Sequence, residues 1–97
     1  MATYIALLQF TEQGVRSVKD TTKRAAAATK AASKMGVKLT DLFWTLGNYD
    51  GAIVAEAPDD ETMTAFMLKL AALGNVKSQT LRAFGAKEMD AILKQAE

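Results

Sequence analysis

Gly47, Asn48, Tyr49, Asp50 and Gly51 place five turn-forming residues between two apolar, strand-forming runs, and this interruption constrains the fold more than any other stretch. The runs on either side, Val37 to Leu46 and Ala52 to Ala57, must double back on one another as antiparallel neighbours, with positive φ expected at the two glycines. Each arm of this hairpin continues into a different helical pattern. Upstream, Thr11 to Met35 is rich in Ala, Lys, Thr and Ser, holds no proline and ends at Gly36, which predicts one long helix capped by Thr11. Its expected inward stripe is Val15, Val18, Thr22, Ala25, Thr29 and Ala32. Downstream, Pro58, Asp59, Asp60 and Glu61 open a second helix, with Asp59 suited to the N-cap and the acids to the positive end of the helix dipole.

The remaining segments complete a symmetrical order. Thr3 to Phe10 and Val76 to Phe84 read as the first and fourth strands. Met63, Phe66, Met67, Leu70 and Leu73 recur at helical spacing, which makes the second helix the main core donor, and Lys87 to Gln95 forms a short terminal helix presenting Met89, Ile92 and Leu93. The result is an α+β chain of order β-α-β-β-α-β-α, a single domain over residues 1–97. Two βαβ units joined by a hairpin give the ferredoxin-like βαββαβ arrangement, an antiparallel four-stranded sheet with both long helices on one face.

The other face of such a sheet is bare, yet the strands are apolar on both sides. In the first strand Tyr4, Ala6, Leu8 and Phe10 alternate with Ile5 and Leu7; strict alternation in the second sets Leu39, Phe43 and Thr45 against Leu42, Trp44 and Leu46. A solvated antiparallel sheet reads polar on its outer side. Large exposed apolar faces are rare on monomers and most soluble oligomers are symmetric, so a homodimer or larger assembly is expected.

Composition removes several function classes. With no cysteine and no histidine, the chain holds no disulfide, no thiolate zinc site, no Cys or His nucleophile system and no imidazole base. No phosphate-binding glycine loop or nucleotide fingerprint occurs, so no cofactor and no metal are expected. A net charge of +1 and the lack of paired aromatic motifs on the central strands argue against a nucleic-acid partner. Neither a secretory leader pattern nor a long apolar run is present, which gives the expectation of a cytoplasmic, soluble protein without a membrane partner. The charges are unevenly spread, with an excess of +5 between Glu12 and Lys38 and of −6 between Asp41 and Thr62, fitting solvated faces or pairing between subunits.

Gly47, Tyr49 and Asp50, the run Glu56, Ala57, Pro58, Asp59, Asp60, the triplet Gly74, Asn75, Val76 and the strand Thr80, Leu81, Arg82, Ala83, Phe84 stand in order along nearly the whole chain. In this pattern the sequence resembles the GYD-domain family. The resemblance implies a ferredoxin-like fold of the dimeric α/β-barrel type and implies no activity.

The motif residues define the candidate sites. Tyr49 and Asp50 pair a phenol with a carboxylate at a hairpin, the residue types of acid/base catalysis where burial raises the carboxyl pKa. Alternatively Asp50 accepts N–H bonds within its turn while Tyr49 packs beneath it. Arg82 shares a strand face with Ser78, Thr80 and Phe84, and its guanidinium suits a carboxylate or phosphate, or else an ion pair with Asp50, Asp41 or another acid. Phe43 and Trp44 are consecutive and must face opposite ways. A ligand-binding set of Trp44, Tyr49, Thr80 and Arg82 in an apolar sheet cavity predicts a small organic acid or aromatic metabolite as ligand. A cofactorless acid/base enzyme and a purely structural oligomerisation module are the alternatives.

Overall fold

The computed structural model describes residues 1–97. Strands β1 (Ala2–Phe10), β2 (Lys38–Trp44), β3 (Gly51–Ala57) and β4 (Val76–Ala83) form one sheet in the order β2-β3-β1-β4. Every neighbouring pair is antiparallel, and the chain follows the ferredoxin-like order expected from the hairpin and its flanking helices.

Cross-strand register assigns each side chain to a face. Tyr4 lies opposite Ala55 and Arg82, Ala6 opposite Ile53 and Thr80, and Leu8 opposite Gly51 and Ser78. These residues form the helix-covered face. Ile5, between Val54 and Leu81, and Leu7, between Ala52 and Gln79, belong to the open face. The buried core joins Tyr4, Ala6, Ile53, Ala55 and Ala57 of the covered face to Met63, Phe66 and Met67 of α3 (Asp60–Ala72) and to Ala32 of α2 (Thr21–Lys34). Asp59 caps α3 as expected, its Oδ1 accepting the Thr62 N–H at 2.8 Å.

Three local expectations are corrected. The first helix is broken: α1 (Glu12–Arg16) ends at Ser17, a single 3-10 turn spans Val18–Asp20, and α2 begins at Thr21. The break is held by Arg24, whose guanidinium donates to the Ser17 carbonyl at 2.6 Å and the Gly14 carbonyl at 3.2 Å, satisfying acceptors that the interrupted helix leaves over. Of the expected inward stripe, Val15, Val18, Thr22 and Thr29 are solvent-exposed, while Ala25 is half-buried and Ala32 buried. Gly14 itself admits no side chain, since a Cβ there would lie 2.1 Å from the Asn75 carbonyl oxygen.

Second, β2 carries a bulge between Leu39 and Asp41, so Leu39 pairs with Ala55 and joins Leu42 and Trp44 on the covered face. Strict alternation sets Leu39 beside Phe43 instead. Third, only Gly47 of the two hairpin glycines has positive φ, at 112°. Gly51 is needed for closeness: a Cβ there would meet the Phe43 carbonyl oxygen at 3.1 Å and the Leu8 side chain at 3.7 Å.

The last helix, α4 (Ala86–Gln95), continues outward from β4. Met89 and Leu93 remain exposed and Ile92 is half-buried, so most of its apolar stripe faces solvent. No helix is long and apolar enough to cross a membrane.

Candidate functional site

The hairpin turn is tied to the end of β1 by three contacts. The Asp50 N–H donates to the Leu8 carbonyl at 2.8 Å, and Asp50 Oδ2 accepts the Phe10 N–H at 2.8 Å. Because β1 and β3 stop pairing at Leu8 and Gly51, this carboxylate takes the place of the next ladder carbonyl. Gln9 Nε2 donates to the Asn48 carbonyl at 2.8 Å. The Asp50 carboxylate thus accepts from a neighbouring strand, while its main-chain carbonyl accepts the Thr45 N–H across the turn at 3.0 Å.

Tyr49 goes the other way. Its hydroxyl donates to Gln79 Oε1 at 3.0 Å, and Gln79 lies opposite Leu7 on the open face. Asp50 borders the cavity under the helices. The phenol and the carboxylate are therefore engaged by different partners, Gln79 on the open face and the Phe10 N–H at the end of β1.

Thr80 and Arg82 are on the covered face of β4, the edge strand, and are exposed. Arg82 is fixed within the chain. It donates to the carbonyls of Thr3 and Ala83, pairs with Glu88 Oε2 at 3.3 Å, and stacks 4.5 Å from the Phe84 ring centroid and 5.7 Å from that of Tyr4. The acid it meets is Glu88, not Asp50 or Asp41. Glu88 is held below the usual carboxylate range, first by the Gly85 N–H and then by the guanidinium. Trp44 lies on the covered face, with Nε1 donating to Thr21 Oγ1 at 2.9 Å. The four expected ligand residues accordingly occupy three places: Trp44 between β2 and α2, Tyr49 on the open face, Thr80 and Arg82 at the β4 edge.

Sequence reasoning missed Tyr4 as a polar residue. Its ring is buried, while its hydroxyl donates to Asp60 Oδ1 across 2.5 Å, and that bond together with burial pushes its pKa up to about 12. Period-two counting gives the face of Tyr4 but not the helix terminus above it. No cluster of three or more acids able to hold a metal ion is formed.

The open face of the sheet is covered by no helix. Ile5, Leu7, Val54 and Ala52 form its centre, half-buried by their neighbours, with Leu81 at 41% and Phe43 at 56% exposure on the flanks. Lys38, Asp41, Glu56 and Lys77 share the same face and bring both signs of charge to its rim.

Fold and surface together define a small α+β domain with a ferredoxin-like sheet, helices on one side and an apolar surface on the other. The chain belongs to the GYD domain family, whose model matches residues 4–93. It is 33% identical over 95 residues to the glutamine synthetase and cystathionine beta-lyase binding protein of Thermus thermophilus, covering 97% of this chain and all of that one. Its fold is similar to that of the crystal structure of TTHA0845, also from Thermus thermophilus, with a TM-score of 0.59 and 20% identity, over 89% of this chain and 96% of that one.

Proposed function

We propose that this chain is a non-catalytic protein-docking domain that works as a homodimer, with the open face of its sheet closed against the same face of a second copy. The observation that carries this reading is the continuous apolar strip through Ile5, Leu7, Val54 and Leu81 on a face that no helix covers. An isologous interface must be self-complementary, and a rim with both Lys38 and Lys77 and both Asp41 and Glu56 meets that requirement where a single-signed rim would repel its copy. Tyr49, tied to Gln79, belongs to this rim. A role in docking to other proteins is supported by the Thermus relative, whose name states that it binds two enzymes. Glutamine synthetase is the first partner to try.

Native mass spectrometry on the purified chain reads the assembly directly. The wild type is expected at twice the 10.4 kDa chain mass, and Val54→Lys, which places a charge in the middle of the strip, at the single-chain mass with an unchanged far-UV spectrum. A wild type that stays monomeric at micromolar concentration overturns the dimer. Biolayer interferometry against immobilised glutamine synthetase and cystathionine beta-lyase then tests the docking role: saturable binding to either supports it, and binding to neither removes those two partners.

A further inference from the structure

The face beneath the helices is incompletely filled. A cavity of about 380 Å³ lies between α2, α3 and the C-terminal end of β1, within the size range of small-molecule sites. Its origin is local. Where α2 crosses the sheet its inward residues are Ala25, Ala28 and Ala31, which reach too little to close the space to Phe66 and Leu70 of α3. The break before Thr21 sets this phase. The cavity opens to solvent past Trp44 and Leu73, and most of its lining is apolar. An apolar occupant removes that lining from water.

Charge defines the other half of the occupant. Arg24 and Lys69 both border the cavity, and neither belongs to an ion pair; the two salt bridges of the chain are Arg16–Glu12 and Arg82–Glu88. Arg24 is held by neutral acceptors only, the Ser17 carbonyl, Ser17 Oγ at 3.0 Å and the Gly14 carbonyl. Three bonds leave two of its five N–H donors free, in an orientation fixed before any ligand arrives. Asp50 is the one acid in the lining and is engaged by the Phe10 N–H, so the lining carries one positive charge in excess. That excess balances a single negative charge and disfavours a dianion. Guanidinium geometry matches a carboxylate in particular.

We propose that this cavity binds a monocarboxylate with an apolar aliphatic or aryl body, the body against the alanine face of α2 and Phe66, the carboxylate on Arg24 with Lys69 beside it. The site lies on the side of the sheet opposite the proposed dimer face, so either proposal stands if the other fails.

Trp44 is the single tryptophan of the chain and borders the cavity, which makes its fluorescence a direct report of occupancy. Decanoate, kept below its micelle-forming concentration, is expected to change Trp44 emission saturably, with decylammonium about tenfold weaker because a charge-assisted bond is lost and a like charge gained. Ala28→Leu, which places a larger apolar side chain in the cavity where the ligand body would lie, is expected to weaken the decanoate response. Lys69→Glu, at an exposed position that leaves folding intact, is expected to weaken decanoate and spare decanol. Val54→Lys on the open face is expected to bind decanoate like the wild type. Equal affinity for decanoate and decylammonium overturns the proposal, as does a Lys69→Glu variant with unchanged preference, or loss of binding in Val54→Lys with retention in folded Ala28→Leu.

Discussion

Tyr4 joins two requirements in one side chain: its ring fills the centre of the core while its hydroxyl needs a partner, and Asp60 in the first turn of α3 supplies it. The bond raises the Tyr4 pKa from 10.0 to about 12, the hydrogen bond to Asp60 being the largest cause and burial the next. A raised folded-state pKa means stability that is fully present below the unfolded value and is lost as pH climbs through the folded one. Urea unfolding followed from about pH 9 upward is therefore expected to show the stability advantage of the wild type over Tyr4→Phe shrinking between 10.0 and about 12. A constant difference across that window refutes the assignment. Residue roles were legible from the sequence at Asp59, where position alone indicates a cap, and illegible at Arg82 and Asp50. Their partners, Glu88 and the Phe10 N–H, come within reach only when the chain turns into α4 and when β1 outruns β3.

Helical spacing of apolar residues has three different fates among the helices. Met63, Phe66 and Met67 of α3 are buried, as their period predicts, whereas Leu70 is half-buried and Leu73, at the end of the same stripe, is exposed. Phe66 is the largest fully buried side chain, at 1% exposure, and Phe66→Ala is expected to cost about 3–5 kcal/mol in urea-melt stability. A loss of that size is a large part of what holds any small domain folded. Met89, Ile92 and Leu93 in α4 keep the same spacing, yet Met89 and Leu93 stay exposed and only Ile92 is half-buried. In α1 and α2 the expected stripe fails at Val15 and Val18, before a 3-10 turn at Val18–Asp20 resets the phase, and again at Thr22 and Thr29, and it holds at Ala25 and Ala32. Periodicity states that a face exists; which faces are covered depends on distant elements, and here on a single arginine bonded across seven residues.

The whole molecule is elongated, with extents of 50 × 31 × 18 Å and a radius of gyration of 14.5 Å. A compact chain of this length has a radius of gyration of about 12.5 Å by size scaling. Outlying α4 and the uncovered sheet face both leave apolar surface in water, and a chain this short has little core to spare for it. Self-association couples to folding by mass action, so the proposed dimer predicts a Tm that rises with protein concentration for the wild type and is independent of concentration for Val54→Lys. Scanning calorimetry at low and high micromolar concentrations reads the difference; a concentration-independent wild-type Tm counts against assembly.

By itself the sequence determined the strand and helix order, the hairpin at Gly47 to Gly51, the Asp59 cap and the family, because each rests on contacts between residues near in the chain or on a period that the backbone imposes. The register of β2 past its bulge, the break before α2, the separation of Tyr49 from Asp50 and the cavity under the alanine face were decided only in three dimensions. Each of these depends on how far one element lies from another that is remote in sequence, a distance set by packing and by single long-range hydrogen bonds, for which no local pattern of side chains is a record.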